Sequence, residues 1–258
     1  MGKVGTMSMI GITYVCDPQA NRHSASVANC NLLHKTVSHY APDVPMWPYN
    51  VHAAVDEELR YANKITAIGC ADIRQGYLLF LDSDVILCRT PEWPDLQGIA
   101  IAGVHMDYPS EPTYDGFAIP VWKDCGQSYP SKRVKCTMYG GSTTPVINSG
   151  VLFVRWDVCG PLARVWETFF HGVKDKPYMT HHRSYAEQMT LMPAIAALGL
   201  DYQLLPVHWN WNGTIFPSDR CHMIEPHQEV TFLHYHRQDV LSTDPVAQRV
   251  LRDIGEVV

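Results

Sequence analysis

The chain has 258 residues, of which 46% are hydrophobic and 18% charged, and its formal net charge is -6. This length and apolar content are enough for a large α/β core, and the negative charge gives no basic footprint for nucleic acid. No run approaches the roughly 20 apolar residues of a membrane span, so we expect no transmembrane segment.

Apolar runs and helical spacings alternate along the first part of the chain. Ser8–Val15 and Val44–Tyr49 are rich in β-forming residues and predict strands. Asn21–Tyr40 and Asp56–Ile73 have apolar residues three and four positions apart and predict helices. Tyr77–Leu81, five apolar residues without alternation, is typical of a strand that is buried on both faces. The order β-α-β-α-β predicts right-handed crossovers and a parallel sheet core.

Two acids, Asp82 and Asp84, follow that strand directly and are separated by Ser83. Carboxylates two apart in an extended segment point to the same side, and an unpaired buried charge is costly. A divalent cation between them would remove that cost, and open α/β sheets bind their ligands at the carboxyl ends of strands. The pattern predicts a metal site with oxygen ligands that suit Mg²⁺ or Mn²⁺, and the alternative is a solvated turn.

The middle of the chain has a predicted strand at Ile99–His105 and then a long segment, Asp107–Thr144. This segment is rich in Pro, Gly, Tyr and Ser and has little periodicity, so it predicts a functional lid or binding loop. Cys125 and Cys136 flank a loop and are the only disulfide candidates among eight dispersed cysteines. The absence of a Cys-x-x-Cys pair argues against a zinc module and favours reduced thiols and a cytoplasmic location.

The remaining segments predict further strands and helices. Pro145–Arg155 is a turn that feeds a strand, and Asp157 is a candidate cap for the next helix. Ser184 and Glu187 have the spacing of a capping box at the start of another helix, which Gly199 would end. The chain closes with two predicted strands and a helix, at Tyr202–Val207, Glu229–Tyr235 and Asp244–Ile254.

Five short segments resemble, in the same order, motifs of the glycosyltransferase-A (GT-A) fold. They are a strand with its D-x-D motif at Tyr77–Val85, an Asn-Ser-Gly strand entry at Ile147–Leu152, a helix start at Ala186–Met189, a Leu-Pro-x-x-x-Asn segment at Leu205–Asn210 and a His-Tyr element at Thr231–Tyr235. Together they resemble the retaining, glycosyltransferase family 8-like group that includes glycogenin and bacterial lipopolysaccharide galactosyl- and glucosyltransferases. The resemblance spans residues 8 to about 237.

This resemblance implies an α/β fold with a mixed, mostly parallel central sheet flanked by helices. Residues 1–258 would be a single GT-A domain, with a nucleotide-binding half at 8–105, a sugar and acceptor half at 106–237 and a C-terminal helix at 238–258. The implied activity is metal-dependent hexosyl transfer, with retention, from a nucleotide-diphosphate donor, a UDP-sugar. The acceptor, whether carbohydrate, lipid or protein, is left open, as is peripheral contact with a membrane.

The resemblance also implies roles for individual residues. Asp82, Asp84 and His234 would hold Mn²⁺ or Mg²⁺, and an imidazole ligand favours Mn²⁺. Three residues would contact the sugar, with the first beneath the anomeric carbon: Gln188, Glu187 and Asn148. Five residues would bind the nucleotide and its phosphates: Tyr14, Asp17, Lys64, Ser83 and Arg237.

One segment departs from the family pattern. After the His-Tyr element the family continues through Gly and Lys, which grip the diphosphate, whereas this chain has His236 and Arg237. One of these two residues would have to supply the positive charge. We interpret His236, together with His208 and the pair His181-His182, as lying on the surface or outside the ligand set.

Other interpretations stay open for several residues and for the activity. Glu187 fits a helix cap, Lys64 a solvated helix position and His234 a core histidine. Aromatic residues of the long segment and of Trp209–Gly213 are candidate sugar platforms or plain anchors. An inverting transferase of the same fold would need a base from the long segment, for which the candidates are Asp107, Asp115 and Asp124. A protein that binds nucleotide sugars without catalysis is the remaining alternative.

Overall fold

A computed structural model describes residues 10–16, 27–51, 62–106, 111–136, 141–180, 183–215, 217–225 and 227–256, with their side chains except those of 111–114, 117 and 184. The helices are α1 (Val27–Tyr40), α2 (Asn63–Gly69), α3 (Glu111–Asp124), α4 (Cys159–Val173), α5 (Ala186–Ala197), α6 (Cys221–Ile224), α7 (Gln238–Thr243) and α8 (Pro245–Asp253). The strands are β1 (Ile10–Cys16), β2 (Met46–Asn50), β3 (Tyr77–Leu81), β4 (Val85–Leu87), β5 (Ile101–His105), β6 (Val134–Lys135), β7 (Ser142–Thr143), β8 (Ile147–Arg155), β9 (Tyr202–Leu205), β10 (Trp211–Asn212) and β11 (Phe232–His234).

The central sheet has six strands in the order β2-β1-β3-β8-β5-β9. Strand β1 runs parallel to β2 and β3, and β9 runs parallel to β5. Strand β8 is antiparallel to both of its neighbours, β3 and β5. The predicted α/β class with a mixed, mostly parallel sheet is confirmed.

Strand β3 lies inside this sheet, and all five of its residues are buried. Leu78 and Phe80 pack into one core cluster with α2, α4 and α5. Tyr77, Leu79 and Leu81 pack into a second cluster with α1 and α8. Alternate residues of a strand face opposite sides of the sheet, so an unbroken apolar run is required where helices cover both faces.

A second, three-stranded sheet has the order β10-β11-β4. After β3 the chain passes through Asp82–Asp84 and enters β4, which pairs antiparallel with β11. This register places His234 opposite Val85, one residue beyond Asp84. None of the helices in the described part of the chain has the length and apolarity to span a lipid bilayer.

The prediction of one long loop at Asp107–Thr144 is wrong for more than half of its described residues. Its described part contains α3 and a small hairpin formed by β6 and β7. The buried residues of α3 and its end are three and four positions apart, as on one face of a helix: Ala118, Val121, Trp122 and Cys125. Pro120 lies inside this helix, and the Pro and Gly content of the segment hid its periodicity.

Two predicted caps are also wrong. Helix α4 is preceded by a 3₁₀ turn and has no side-chain cap, because Asp157 instead pairs with Arg155 at 2.6 Å. Helix α5 begins at Ala186 with Tyr185 in the N-cap position, and no side chain caps it there. Glu187 therefore does not form the capping box that its spacing suggested.

Smaller differences concern element ends and cysteines. Helix α2 ends at Gly69, short of the predicted Ile73. The predicted starts of the first two helices, at 21–26 and 56–61, lie outside the described residues. None of the eight cysteines forms a disulfide, so the candidate pairing of Cys125 with Cys136 is wrong, and Cys136 Sγ lies 3.9 Å from His105 Nε2.

The C-terminal helix depends on one buried carboxylate, and this generates a prediction. Asp244 accepts hydrogen bonds from the backbone N–H groups of Ser218, Val246 and Ala247 at 2.7, 3.0 and 3.1 Å. We expect Asp244→Ala to lower the free energy of unfolding by about 2 kcal/mol, since a helix cap and buried donors lose their acceptor. Chemical denaturation measures this, and Asp219→Ala, at an exposed acid nearby, is the control; equal stability of the two variants would contradict the prediction.

Candidate active site

The turn that carries Asp82 and Asp84 is fixed from three directions. The backbone N–H of Asp82 donates to Gly150 O of β8 at 2.8 Å, and Val85 N donates to Asp82 O at 3.1 Å. Tyr235 N, just after β11, donates to Asp84 O at 3.0 Å. Asp84 is buried and Asp82 is half-buried, so the two acids lie at the floor and the edge of the same site.

His234 faces this turn. Its Nε2 lies 3.2 Å from Asp84 Oδ1 and 3.9 Å from Asp82 Oδ2, and its Nδ1 lies 3.2 Å from Asn210 Oδ1. These contacts fix both nitrogens of the ring, one against the D-x-D turn and the other against Asn210. An imidazole nitrogen beside two carboxylates is a set of donor atoms that would suit a divalent cation.

Gly150 makes room for that ring. A Cβ at this position would lie 2.5 Å from His234 Cε1 and 2.8 Å from its Nδ1, closer than real contacts allow. The backbone N–H of Gly150 also donates to Asn148 Oδ1 at 2.8 Å, which fixes the half-buried side chain of Asn148. Both residues belong to the Asn-Ser-Gly segment, and the close approach of the His234 ring explains why its third residue is glycine.

His236 also reaches the cluster, from the surface, since its side chain is 36% exposed. Its ring centroid is 3.7 Å from that of His234, and its Nδ1 is 3.7 Å from Asp84 Oδ2. Ligand atoms of Asp84, His234 and His236 all lie within 4.8 Å of one another. Burial alone would raise the pKa of Asp84, but His234 and His236 outweigh burial and hold that pKa well below its usual range.

Lys64 forms the other side of the site and is buried, so the solvated alternative is wrong. Its Nζ lies 3.0 Å from Asp82 Oδ1, 3.2 Å from Glu187 Oε1 and 3.1 Å from Ser149 Oγ. Burial lowers the pKa of Lys64, but the two carboxylates outweigh burial and raise it. An ammonium has three donors, and these partners supply three acceptors, so none is left for a phosphate in this arrangement.

The first turn of α5 delivers Glu187 and Gln188 to the same place. Glu187 accepts from the Ser149 hydroxyl at 3.1 Å, and burial raises the pKa of its carboxyl to about 7 although Lys64 opposes that shift. Gln188 Oε1 lies 3.4 Å from Ser149 N, and its amide nitrogen contacts Met106 Sδ. The sequence motifs at β8 and α5 therefore meet in space, as the resemblance implied.

The predicted nucleotide-binding residues are less closely grouped. Tyr14 is buried near the carboxyl end of β1, where burial raises its pKa to about 12, and Ser83 is buried in the turn. Asp17 lies outside the described residues. The exposed side chain of Arg237 pairs with Asp239, and none of its contacts among the described residues joins the acidic cluster. The roles of these four residues stay predictions.

The segment Trp209–Gly213 is not a sugar platform. Trp209 and Trp211 are buried, and Trp209 packs edge-on against Phe153 in the core. His208, interpreted as a surface residue or one outside the ligand set, is buried, and its Nδ1 lies 2.6 Å from Glu225 Oε2.

The sequence analysis did not identify the role of the 3₁₀ turn at Val207–Asn210. Glu225 also accepts from the backbone N–H of His208 at 3.0 Å and so fixes the 3₁₀ turn that ends at Asn210. The Leu-Pro-x-x-x-Asn segment contained the signal, because its asparagine is the residue that orients His234.

Comparison with known proteins identifies the family of the chain. Residues 12–199, well over half of the chain, match the model of the Rhodobacterales glycosyltransferase domain. The chain therefore belongs to the Rhodobacterales glycosyltransferase domain family, and the protein is a glycosyltransferase. Comparison of the sequence with curated proteins gives no significant match.

Solved structures of glycosyltransferases share the fold. An active-site mutant of LgtC is 13% identical, with 95% of each chain covered and a TM-score of 0.51. The apo form of GlyE from Streptococcus pneumoniae TIGR4 is 11% identical, with a TM-score of 0.56, and covers 96% of this chain and 60% of its own. A glycosyltransferase that glycosylates the major capsid of PBCV-1 is 13% identical, with 94% and 99% covered and a TM-score of 0.51. At this identity the likeness shows the fold alone, which is GT-A.

The contact between Gly150 and the His234 ring gives a prediction. We expect Gly150→Ala to displace the ring, to lower stability by about 1–3 kcal/mol and to weaken binding of the Mn²⁺ that the sequence predicts here. Thermal unfolding and calorimetric titration with Mn²⁺ measure the two effects. The control is Gly172→Ala in α4, where a Cβ would meet nothing within 4 Å. Unchanged Mn²⁺ binding in Gly150→Ala would show that the ring position does not matter.

The raised pKa of Glu187 predicts a pH dependence of stability in chelator-treated protein. A folded-state pKa raised from 4.5 to about 7 contributes stability that is complete below 4.5 and is lost as pH rises through 7. Glu187→Gln cannot titrate, so its loss of stability between pH 5 and pH 8 should be smaller by up to about 3 kcal/mol.

Urea unfolding at several pH values tests this pH dependence. Glu167→Gln, at an exposed glutamate of α4, should retain the wild-type dependence. Identical pH profiles for all three proteins would refute a buried, titrating Glu187.

Proposed function

We propose that the protein is a Mn²⁺-dependent hexosyltransferase that transfers a sugar from a UDP-sugar to an acceptor with retention of configuration. Its nearest functional relatives would be the glycosyltransferase family 8-like enzymes, and residues 1–258 would act as one GT-A domain. One observation carries the proposal: the D-x-D turn, His234 and the first turn of α5 converge at the end of β3 in a chain that belongs to a glycosyltransferase family. Mg²⁺ is the alternative cation.

The donor atoms support a cation such as Mn²⁺. Asp82 and Asp84 offer carboxylate oxygens, and His234 offers the nitrogen that faces them. Mixed oxygen and imidazole ligands suit Mn²⁺ better than Mg²⁺, which prefers oxygen and water. When bound, the cation would neutralise the diphosphate that leaves as the glycosidic bond breaks.

The residues of α5 and β8 would act at the sugar. Gln188, whose carbonyl oxygen is turned toward Ser149, is a polar group for the positive charge that develops at the anomeric carbon. Glu187 and Asn148 would orient sugar hydroxyls. Lys64 would hold Asp82 and Glu187 in place through its three contacts, in place of the phosphate contact that the sequence suggested. Tyr14, Asp17 and Ser83 would line the base and ribose, and Arg237 would have to leave Asp239 to reach a phosphate.

The described geometry gives little support to an inverting mechanism. Among its candidate bases, Asp115 is engaged by Tyr129 and Arg133, and Asp124 by Tyr178 at 2.8 Å and Lys176 at 3.2 Å. Asp107 lies outside the described residues. The anomeric configuration of the first-formed product, followed by NMR, separates the two mechanisms. Donor hydrolysis or transfer separates either enzyme from a protein that only binds nucleotide sugars.

Removal of one carboxylate tests the proposal. We expect UDP to bind the wild-type protein more tightly with Mn²⁺ than with EDTA, and Asp84→Asn to lose at least about a tenfold part of that gain, because it removes a ligand charge. Calorimetry with UDP and UDP-sugars gives both affinities. Asp219→Asn, at an exposed acid away from the site, is the control. Absence of any nucleotide binding, or a metal-dependent gain that survives Asp84→Asn, would overturn the proposal.

A further inference from the structure

His236 adopts a backbone conformation that side chains seldom take. Its φ is +46°, in the left-handed region where a residue with a Cβ is strained by about 1–2 kcal/mol. Such strain persists only where the surroundings enforce it, and it concentrates at functional sites.

The left-handed backbone of His236 turns its imidazole over the ring of His234 and toward the carboxylate of Asp84. The ring centroids of His234 and His236 are 3.7 Å apart with planes 33° from parallel. His236 Nδ1 lies 3.7 Å from Asp84 Oδ2, which is too long for a hydrogen bond. His234 Nε2 lies 3.2 Å from the other oxygen of the same carboxylate.

These separations match ligands that share one ion. Metal–nitrogen and metal–oxygen bonds of about 2.0–2.2 Å place adjacent ligand atoms about 3–4 Å apart. The ligand atoms of Asp84, His234 and His236 all lie within 4.8 Å of one another. Asp82, by contrast, has both oxygens within 3.1 Å of Lys64 Nζ and lies 3.9 Å from His234 Nε2.

We propose that His236 is a metal ligand, so that a second imidazole joins His234 and the carboxylates of this site, which thereby selects transition metals over Mg²⁺. The inference rests on the metal site of the proposed function and adds a ligand and a selectivity to it. Imidazole nitrogen favours Mn²⁺, Co²⁺ and Zn²⁺, whereas Mg²⁺ prefers oxygen ligands and keeps much of its water. A second imidazole therefore raises the affinity for Co²⁺ far more than the affinity for Mg²⁺.

The test removes the imidazole and keeps the backbone. Asn tolerates the left-handed conformation, so His236→Asn should fold as the wild type does. The matched control is His227→Asn, because His227 is exposed and has a φ of +69°. Full-length, metal-stripped proteins are titrated with Co²⁺, Mn²⁺ and Mg²⁺ by calorimetry, and the visible Co²⁺ spectrum reports the ligand set.

We expect His236→Asn to weaken Co²⁺ binding at least about tenfold, to change the Co²⁺ spectrum and to alter Mg²⁺ binding much less. His227→Asn should match the wild type in all three measurements. Unchanged Co²⁺ affinity and spectrum in His236→Asn, or equal losses for Co²⁺ and Mg²⁺, would overturn the inference. Weaker UDP binding in EDTA with unchanged metal affinity would also overturn it, because the ring would then serve the phosphate.

Asp84→Asn separates the two levels of proposal in the same titrations. If Asp84→Asn abolishes Co²⁺ binding and His236→Asn does not weaken it, the metal site stands and the role of His236 falls. If Asp84→Asn binds every cation as the wild type does, the metal site of the proposed function fails, and the role of His236 fails with it.

Discussion

The cost of burying carboxylates at the end of β3 governs the arrangement of this site. Asp84 and Glu187 are buried and Asp82 is half-buried, and an uncompensated charge in such a place costs several kcal/mol. The protein compensates them in two ways. Lys64 neutralises Asp82 and Glu187 from within the fold, whereas Asp84 faces the imidazole of the buried His234 and that of the partly exposed His236.

The site therefore has two sides, one where Lys64 neutralises the carboxylates and one where Asp84 faces two histidines. The Lys64 side is closed, because its three donors already have acceptors and its partners are pinned by β8 and α5. Trp166 adds to this rigidity, since its Nε1 donates to the backbone oxygen of Glu187 at 2.6 Å. On the histidine side, the two oxygens of Asp84 face His234 Nε2 at 3.2 Å and His236 Nδ1 at 3.7 Å. This is the side at which the proposed cation would bind.

Much of the fold and part of the candidate site could be predicted from local sequence. The other features depend on contacts between segments that are distant in the sequence. The apolar run of β3 and its paired acids predicted the sheet centre and the turn. Glu187 was ambiguous because its spacing matched a cap, and only the fold shows that Lys64 is its partner. Helix α3 was missed because Pro120 and nearby Gly and Pro obscured its apolar face. The place of His236 follows from a left-handed backbone, which no periodicity reveals.

The orientation of His234 links the metal side of the site to a part of the chain that touches no reactant. Glu225 holds the 3₁₀ turn through two backbone N–H groups and the His208 ring, and that turn presents Asn210 to His234 Nδ1. Gly150 leaves the space into which the ring fits. These contacts fix the position of the ring, and such support is what a histidine ligand of the proposed cation would need. The D-x-D turn alone supplies charge, whereas Gly150, Asn210 and the half-buried Glu225 make that charge part of a site with a defined geometry.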